Sequence, residues 1–164
     1  MRKQKGFSLI ELLIVVAIIL IIAAIAIPNL LRARMAANES SAVGSIRSIN
    51  TAEVMYNTTY PATGFAATLP ILGSAAGATC TPSSTNACLI DSVLSLGIKS
   101  GYTFTSGATG GPPAVSYFAN GKPVTLNQTG IRAFCSFEDA VVRADALGVG
   151  ATSAATCAAF TPLN

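Results

Sequence analysis

The fold is decided by residues 1–27, MRKQKGFSLIELLIVVAIILIIAAIAI. Three cations and a glycine precede 21 residues that contain a single charged side chain. A helix of that length spans about 30 Å, which matches the hydrocarbon core of a bilayer. Because Arg2, Lys3 and Lys5 lie on one side of the apolar run, the positive-inside rule places that side in the cytoplasm. The sequence therefore predicts a single-pass membrane helix over residues 7–27.

The junction between the basic and the apolar residues resembles the class III leader of the type IV pilin and pseudopilin family. Gly6 stands where that family is cut, Phe7 becomes the first mature residue, and Glu11 falls where the family keeps a glutamate. The resemblance is close over residues 1–29 and looser beyond them. It implies a leader peptide of residues 1–6, cleavage by a prepilin peptidase, N-methylation of the new terminus, and polymerisation through N-terminal helices by an inner-membrane assembly machinery.

Glu11 needs a physical explanation, because a carboxylate inside a membrane helix costs several kcal/mol. Cleavage after Gly6 creates an α-amino group on Phe7, and in a filament the amine of one subunit can lie beside Glu11 of another. That pair would neutralise both charges within an apolar bundle. The alternative is a glutamate that only stabilises the first helical turn through the helix dipole.

Two other interpretations of the N-terminus stay open. A secretory signal could be cut at residues 24–26, although the run is longer than the ~7–15 residues of a signal core and carries a glutamate. An uncleaved membrane anchor needs no cut at all. The first residue of the mature protein separates the three cases: Phe7 for a pilin, Ile27 for a secreted protein and Met1 for a plain anchor.

Composition argues against an enzyme and against nucleic-acid binding. The chain has 164 residues, enough for one modest domain besides the helix. The leader holds three of the ten cations, so the mature side chains balance at seven of each sign. The absence of histidine excludes Ser-His and Cys-His catalysis, and the acids are isolated apart from Glu138 and Asp139. No catalytic residue, cofactor, metal site or nucleic-acid partner is predicted.

Four cysteines follow the membrane helix: Cys80, Cys88, Cys135 and Cys157. The predicted topology places them outside the cytoplasm, where disulfides persist. Three pairings are possible, and nearest-neighbour pairing is preferred because each bond then closes a local loop. The loop from Cys135 to Cys157 also resembles the C-terminal disulfide loop of pilins. Zinc is disfavoured, because the chain has neither histidine nor a Cys-x-x-Cys spacing.

Residues 28–58 are predicted to continue the helix as an amphipathic segment. Its apolar residues recur at three- and four-residue spacing: Ala42, Ile46, Ile49, Ala52 and Tyr56. Pro28 removes one helical hydrogen bond and is expected to kink or loosen the helix. With Phe7 and Glu11, it completes the candidate assembly residues. A helix over residues 8–57 is about 75 Å long, so its first half is expected to protrude from a small domain.

Residues 59–100 are predicted to form a loop region, and residues 101–164 an antiparallel sheet with a C-terminal disulfide loop. The loop region includes a short helix over residues 89–96 that ends at Gly97. The β-branched and aromatic residues predict four strands, at 101–106, 114–119, 131–137 and 140–144, with a tight turn at 137–140. The fold class is therefore α+β and resembles pilins: a long helix, its hydrophobic half protruding, packs on a small antiparallel sheet.

The resemblance implies a structural subunit of a type IV pilus filament. Such a subunit lies in the inner membrane, N-terminus in the cytoplasm, before assembly and in an extracellular filament afterwards. The alternative is a pseudopilin of a type II secretion system, in a periplasmic fibre, whose members share the segment Tyr60-Pro61. Major pseudopilins usually carry a calcium site with several acids in the C-terminal loops. Only Asp145 lies between residues 140 and 164 here, which favours the pilus.

A second alternative is a monomeric membrane-anchored binding domain. A concave cluster of aromatic side chains would support it, and the candidates are Tyr102, Phe104, Tyr117 and Phe118. Strand alternation favours core packing for them instead. Phe104 is expected to point inward if Tyr102 does, because residues two apart in a strand share a face.

Overall fold

The computed structural model of the chain describes residues 6–74 and 79–163. The leader cations at positions 2, 3 and 5, and part of the predicted loop region, lie outside the described residues. The helices are α1 Leu9–Thr59, α2 Leu69–Leu72, α3 Ser92–Ser95 and α4 Ala154–Ala158. The strands are β1 Ile98–Lys99, β2 Tyr102–Thr109, β3 Ser116–Pro123, β4 Ala133–Phe137, β5 Arg143–Asp145 and β6 Thr161–Pro162. The boundary between two compact units falls after Arg34.

The N-terminal unit consists of the first part of α1. Between Gly6 and Arg34 every described residue is exposed except Ala23, which is half-buried. Large branched apolar side chains dominate this segment, and so large an apolar surface is costly in water unless something covers it. Pro28 lies inside α1, and the helix continues through it.

The C-terminal unit is an antiparallel meander packed on the rest of α1. The six strands follow one another in the order β1-β2-β3-β4-β5-β6, each antiparallel to its neighbour. The predicted apolar face of α1 is fully covered: Ala42, Ile46, Ile49, Ala52 and Tyr56 are each 2% exposed or less. They pack with buried sheet residues such as Tyr102, Phe104 and Phe134. The predicted α+β fold class is confirmed.

One glycine shows how closely helix and sheet approach. Gly121 of β3 lies opposite Phe104 of β2, and a Cβ atom on it would meet the Phe104 ring at 2.8 Å and the Ile46 side chain at 3.6 Å. The missing side chain therefore makes the room in which Phe104 packs between the sheet and α1.

Several predicted boundaries are wrong. β5 is later than the predicted strand at 140–144, because Ala140 adopts a positive φ of 58° and the Asp139 carboxylate accepts a hydrogen bond from the Val141 amide. The tight turn itself is confirmed by a 2.8 Å bond from the Ala140 amide to the Phe137 carbonyl. β3 extends from residue 116 to 123 because its whole length pairs with β2. α3 covers only Ser92–Ser95, since Asp91 caps it through the Leu94 amide.

Candidate assembly site

The candidate assembly segment, residues 7–31, presents apolar side chains in every direction. Its large apolar residues are between 43% and 80% exposed: Phe7, Leu9, Ile10, Leu12, Leu13, Ile14, Val15, Val16, Ile18, Ile19, Leu20, Ile21, Ile22, Ile25, Ile27, Leu30 and Leu31. By length and composition α1 is able to cross a membrane. A helix that is apolar all round requires lipid or other protein around it.

The start of this segment holds both the predicted cut site after Gly6 and Glu11. Phe7 is 77% exposed, and Glu11 lies in the first turn of α1. One carboxylate oxygen of Glu11, Oε2, accepts a 3.0 Å hydrogen bond from the Ser8 amide. That bond satisfies one of the free donors at the helix start. Within the part of the chain that the structure describes, no donor reaches the second oxygen, Oε1.

In the C-terminal unit, Glu39 anchors α1 to the loop before β4. Its carboxylate accepts bonds from the Ile131 and Arg132 amides at 3.0 and 3.1 Å. The Arg132 guanidinium adds a two-pronged contact at 3.0 and 2.8 Å. Burial raises the pKa of Glu39, but these bonds and the Arg132 charge outweigh it, so that the pKa lies below its ordinary value.

Glu53 is fully buried between α1, β2 and the segment after α1. Its two oxygens accept bonds from the Ser106 hydroxyl at 2.7 Å and from the Ala66 amide at 2.9 Å. None of the ion pairs among residues 6–74 and 79–163 involves it. Burial therefore dominates over the two hydrogen bonds and raises the pKa of Glu53 to about 7.

Asn50 makes a third polar connection between helix and sheet. Its amide nitrogen donates to the Ser136 hydroxyl at 2.9 Å and to the Ala140 carbonyl at 3.3 Å, and its oxygen accepts from the Tyr117 hydroxyl at 3.2 Å. These partners lie more than sixty residues away in the chain. Helical spacing places Glu39, Asn50 and Glu53 on the buried face of α1, but it does not identify the distant partners that satisfy them.

The structure pairs Cys80 with Cys88 and Cys135 with Cys157, which is the nearest-neighbour arrangement. The second disulfide is fully buried and packs against Ala151. The loop of the first is held to α1 by the Tyr56 hydroxyl, which donates to the Ser84 carbonyl at 2.6 Å; Cys80 and Cys88 are themselves half-buried.

Asp145, the single acid between residues 140 and 164, is tied to its own loop. One oxygen accepts from the Leu147 amide at 2.9 Å, and the other from the Val149 and Gly150 amides at 2.9 and 3.0 Å. Both oxygens therefore organise the turn after β5. No group of three or more Cys, Asp or Glu side chains suited to a metal occurs within the described ranges.

The aromatic residues form core instead of a binding surface. Tyr102, Phe104 and Tyr117 are at most 3% exposed, and Phe118, on the other face of β3, is half-buried. The expectation that Phe104 shares the inward face with Tyr102 is confirmed. A concave aromatic cluster for a ligand is not formed by these four residues.

Comparison with known proteins now adds to this geometry. Residues 1–27 match the prokaryotic N-terminal methylation motif. This N-terminus is similar to those of type IV pilins and pseudopilins. The predicted resemblance to this family is thereby confirmed, and the segment it covers holds Gly6, Phe7 and Glu11. No solved structure matches the chain significantly.

Relatives of both classes occur. The chain is 68% identical over 40 residues to the type IV wide pilus major component PilA4 of Thermus thermophilus, covering 24% of this chain and 30% of that protein. It is 42% identical over 66 residues to the type II secretion system core protein G of Vibrio cholerae, covering 38% and 45%. It is 47% identical over 51 residues to the type IV major pilin protein PilA of Myxococcus xanthus, covering 31% and 23%. The chain thus spans less than half the length of these relatives.

Proposed function

We propose that the protein is a structural subunit of a type IV pilus, cut after Gly6 and polymerised through residues 7–31. The observation that carries the proposal is the uncovered apolar surface of that segment, which begins directly after Gly6 within the matched methylation motif. Lipid covers this surface in the precursor, and the same segments of other subunits cover it in the filament. Such a contact is heterologous and does not close, so that it grows a fibre.

Glu11 supplies the specificity of this assembly. Cleavage frees the amine of Phe7, and methylation leaves its positive charge in place. The Oε1 atom of Glu11, which no donor from the described residues contacts, is available to the amine of another subunit. A charge buried in an apolar bundle without its partner is costly. A subunit whose Glu11 does not meet the amine of another subunit is therefore disfavoured. The protein is thus a substrate of a prepilin peptidase and a partner of an inner-membrane assembly machinery, with no catalysis of its own.

The test compares two glycine substitutions in the full chain, expressed in its native host. A Cβ atom at Gly6 or at Gly111 would meet nothing within 4 Å, so neither change disturbs the folded unit. Gly6→Val is expected to leave an uncut precursor in the inner membrane and to abolish filaments. Gly111→Val is expected to form normal filaments whose subunits begin at methylated Phe7 by mass spectrometry. Filaments built from uncut Gly6→Val subunits, or from subunits that begin at Ile27, would contradict the proposal.

A pseudopilin of a type II secretion system is the second candidate. It is favoured by one observation: the match to core protein G of Vibrio cholerae extends over 66 residues, against 40 for the wide pilus component. The occupation of both Asp145 oxygens by backbone amides favours the pilus instead. Electron microscopy of a deletion strain separates the two. Loss of surface filaments with intact protein secretion supports the pilus, and the reverse result supports the pseudopilus.

A further inference from the structure

A groove lies on the outer face of the sheet in the C-terminal unit, between strands β2 and β3 and the loop that follows β5. Four of its lining side chains share this face of the sheet: Thr105, Phe118, Asn120 and Lys122. Ala151 and Thr152 line it from the loop. Its volume is about 260 Å³, just below the roughly 300 Å³ at which pockets for drug-sized ligands begin. The groove therefore has room for a single ring.

The loop beside this groove is held in place by β3 and β4. The Ala151 amide donates a 2.9 Å hydrogen bond to Oδ1 of Asn120. Gly150 has a positive φ of 81°, and a Cβ atom on it would lie 2.7 Å from the same oxygen. A few residues later, Cys157 forms a disulfide with Cys135, the register partner of Asn120 on β4. The groove is thus formed by the fold before any ligand enters it.

Asn120 presents a free hydrogen-bond donor to this groove. Its side chain is only 5% exposed. Because the Ala151 amide is a donor, it takes the oxygen of the Asn120 carboxamide and leaves the nitrogen on the other side. Within the described part of the chain Nδ2 has no hydrogen-bond partner, and no side-chain atom without a partner is closed off from solvent there. Nδ2 therefore opens onto the groove and can donate to a bound molecule.

Phe118 gives the groove an apolar surface next to polar groups. Its half-buried ring lies against Gly107 of β2, where a Cβ atom would come 3.2 Å from ring atom Cε1. The hydroxyl groups of Thr105 and Thr152 are exposed, and neither has a hydrogen-bond partner among the residues that the structure describes. A hydroxyl both donates and accepts. An aromatic ring beside hydroxyl and amide groups matches a sugar, which has an apolar C–H face and hydroxyl groups around its edge.

Lys122 makes this groove favourable for an anion. Its side chain is exposed and takes part in none of the ion pairs formed by residues 6–74 and 79–163. None of the groove's lining residues in those ranges is acidic. Asp145 binds the same loop, but its carboxylate accepts bonds from the Val149 and Gly150 amides and forms no ion pair with Lys122. A negative charge on the ligand would therefore be attracted to Lys122.

We propose that this groove binds a sugar ring that carries a carboxylate, such as a uronate unit of an acidic polysaccharide. The C–H face of the ring packs on Phe118, Nδ2 of Asn120 donates to an oxygen of the sugar, and the carboxylate pairs with Lys122. So small a ligand makes few contacts, and the dissociation constant of a single unit is on the order of millimolar. All of these residues belong to the C-terminal unit, so the inference does not depend on filament assembly.

The test uses the full chain, labelled with nitrogen-15, in detergent micelles. The side-chain amide signal of Asn120 in a two-dimensional NMR spectrum reports on the groove directly. Sodium glucuronate should shift this signal in a saturable way, glucose should bind several-fold more weakly, and sodium acetate should leave the signal in place. Lys122→Gln should remove the preference for glucuronate over glucose. Phe118→Leu should weaken the binding of both sugars.

Arg47→Gln is the matched control for the charge, because Arg47 is an exposed cation of the same unit that does not line the groove. It should keep the preference for glucuronate, and a dispersed NMR spectrum checks the fold of each variant. No saturable shift in the parent chain, at concentrations well above millimolar, would overturn the proposal. Equal binding of the two sugars, or a preference that survives in Lys122→Gln, would also overturn it. A response to acetate as strong as that to glucuronate would show binding of a simple carboxylate without the sugar, which contradicts the proposal as well.

Discussion

The two parts of α1 have the same backbone conformation but opposite surroundings. In residues 7–31 a typical side chain such as Ile18 is 52% exposed, whereas Ile46 in the later part is fully buried. Glu11 accepts one local bond, from Ser8, whereas Glu39 accepts four bonds from residues more than ninety positions away. The later part is therefore stabilised inside the molecule, and the earlier part is stabilised only by lipid or by other molecules.

The largest expected effect is on Glu11, because its proposed partner belongs to another subunit. Glu11→Gln keeps an oxygen that accepts the bond from Ser8 but removes the charge. Losing one partner of a buried ion pair costs about 3–5 kcal/mol, so incorporation into filaments should fall at least about tenfold while cleavage after Gly6 continues. Quantitative immunoblotting of sheared filaments measures this.

Glu138→Gln, a change of an exposed acid in the folded unit, is the control and should assemble normally. If Glu11→Gln assembles as well as the parent, capping of the helix start explains Glu11 and the charge pair is wrong.

Cavity-forming substitutions sharpen the comparison within α1. Ile46→Ala removes a fully buried side chain and should lower the free energy of unfolding of the C-terminal unit by about 2–5 kcal/mol. Ile18→Ala should leave that unfolding unchanged, because Ile18 has no cover within the chain. Urea unfolding of the full chain in detergent, followed by near-ultraviolet circular dichroism, measures both. An equal loss of unfolding free energy in the two variants would show that the earlier part of α1 is also covered within the chain.

The two disulfides are expected to differ in how much they stabilise the C-terminal unit. Cys135 and Cys157 close a loop with a sequence separation of 22 and are fully buried, whereas Cys80 and Cys88 close one with a separation of 8. Replacing the first pair by alanine should cost about 3 kcal/mol, and replacing the second pair somewhat less. Protease digestion of both double variants, without reductant, tests the ranking. Faster digestion of the variant that lacks the shorter loop would reverse it.

The smallest effect is a pH dependence that arises from Glu53. Its pKa is raised from 4.5 to about 7 in the folded chain, so the folded state binds the proton more tightly than the unfolded state. The contribution of Glu53 to the free energy of unfolding should therefore be largest below about pH 4.5 and fall by on the order of 2–3 kcal/mol as the pH rises to about 7.

Glu53→Gln tests this dependence. The glutamine oxygen can still accept from the Ala66 amide, and the glutamine nitrogen can donate to the Ser106 hydroxyl. The variant should lose the slope between those pH values, whereas Glu39→Gln, at a group whose pKa is lowered, should not remove it. A parent and a Glu53→Gln variant with the same slope would show that the carboxylate does not titrate in this range.

Much of the fold was predictable because it is local in the chain. The spacing of Ile46, Ile49 and Tyr56 places them on one face of a helix whatever they meet, and the structure buries all three. Strand ends were predicted less well. β5 begins only after the turn in which Ala140 has a positive φ and the Asp139 carboxylate binds the Val141 amide, and turn geometry of this kind depends on the neighbouring strand. The strands β1 and β6 are two residues long and have no periodicity to detect.

The sequence by itself determined the helix that is long and apolar enough to cross a membrane, the methylation motif and the apolar face of α1, because each is a pattern among neighbouring residues. Only the tertiary structure decided the roles of Glu39 and Glu53 and the fit of Phe104 over Gly121. The physical reason is distance along the chain. Glu39 and Glu53 acquire their hydrogen-bond partners, and Glu53 acquires the burial that raises its pKa, only when folding brings together segments that are distant in the chain.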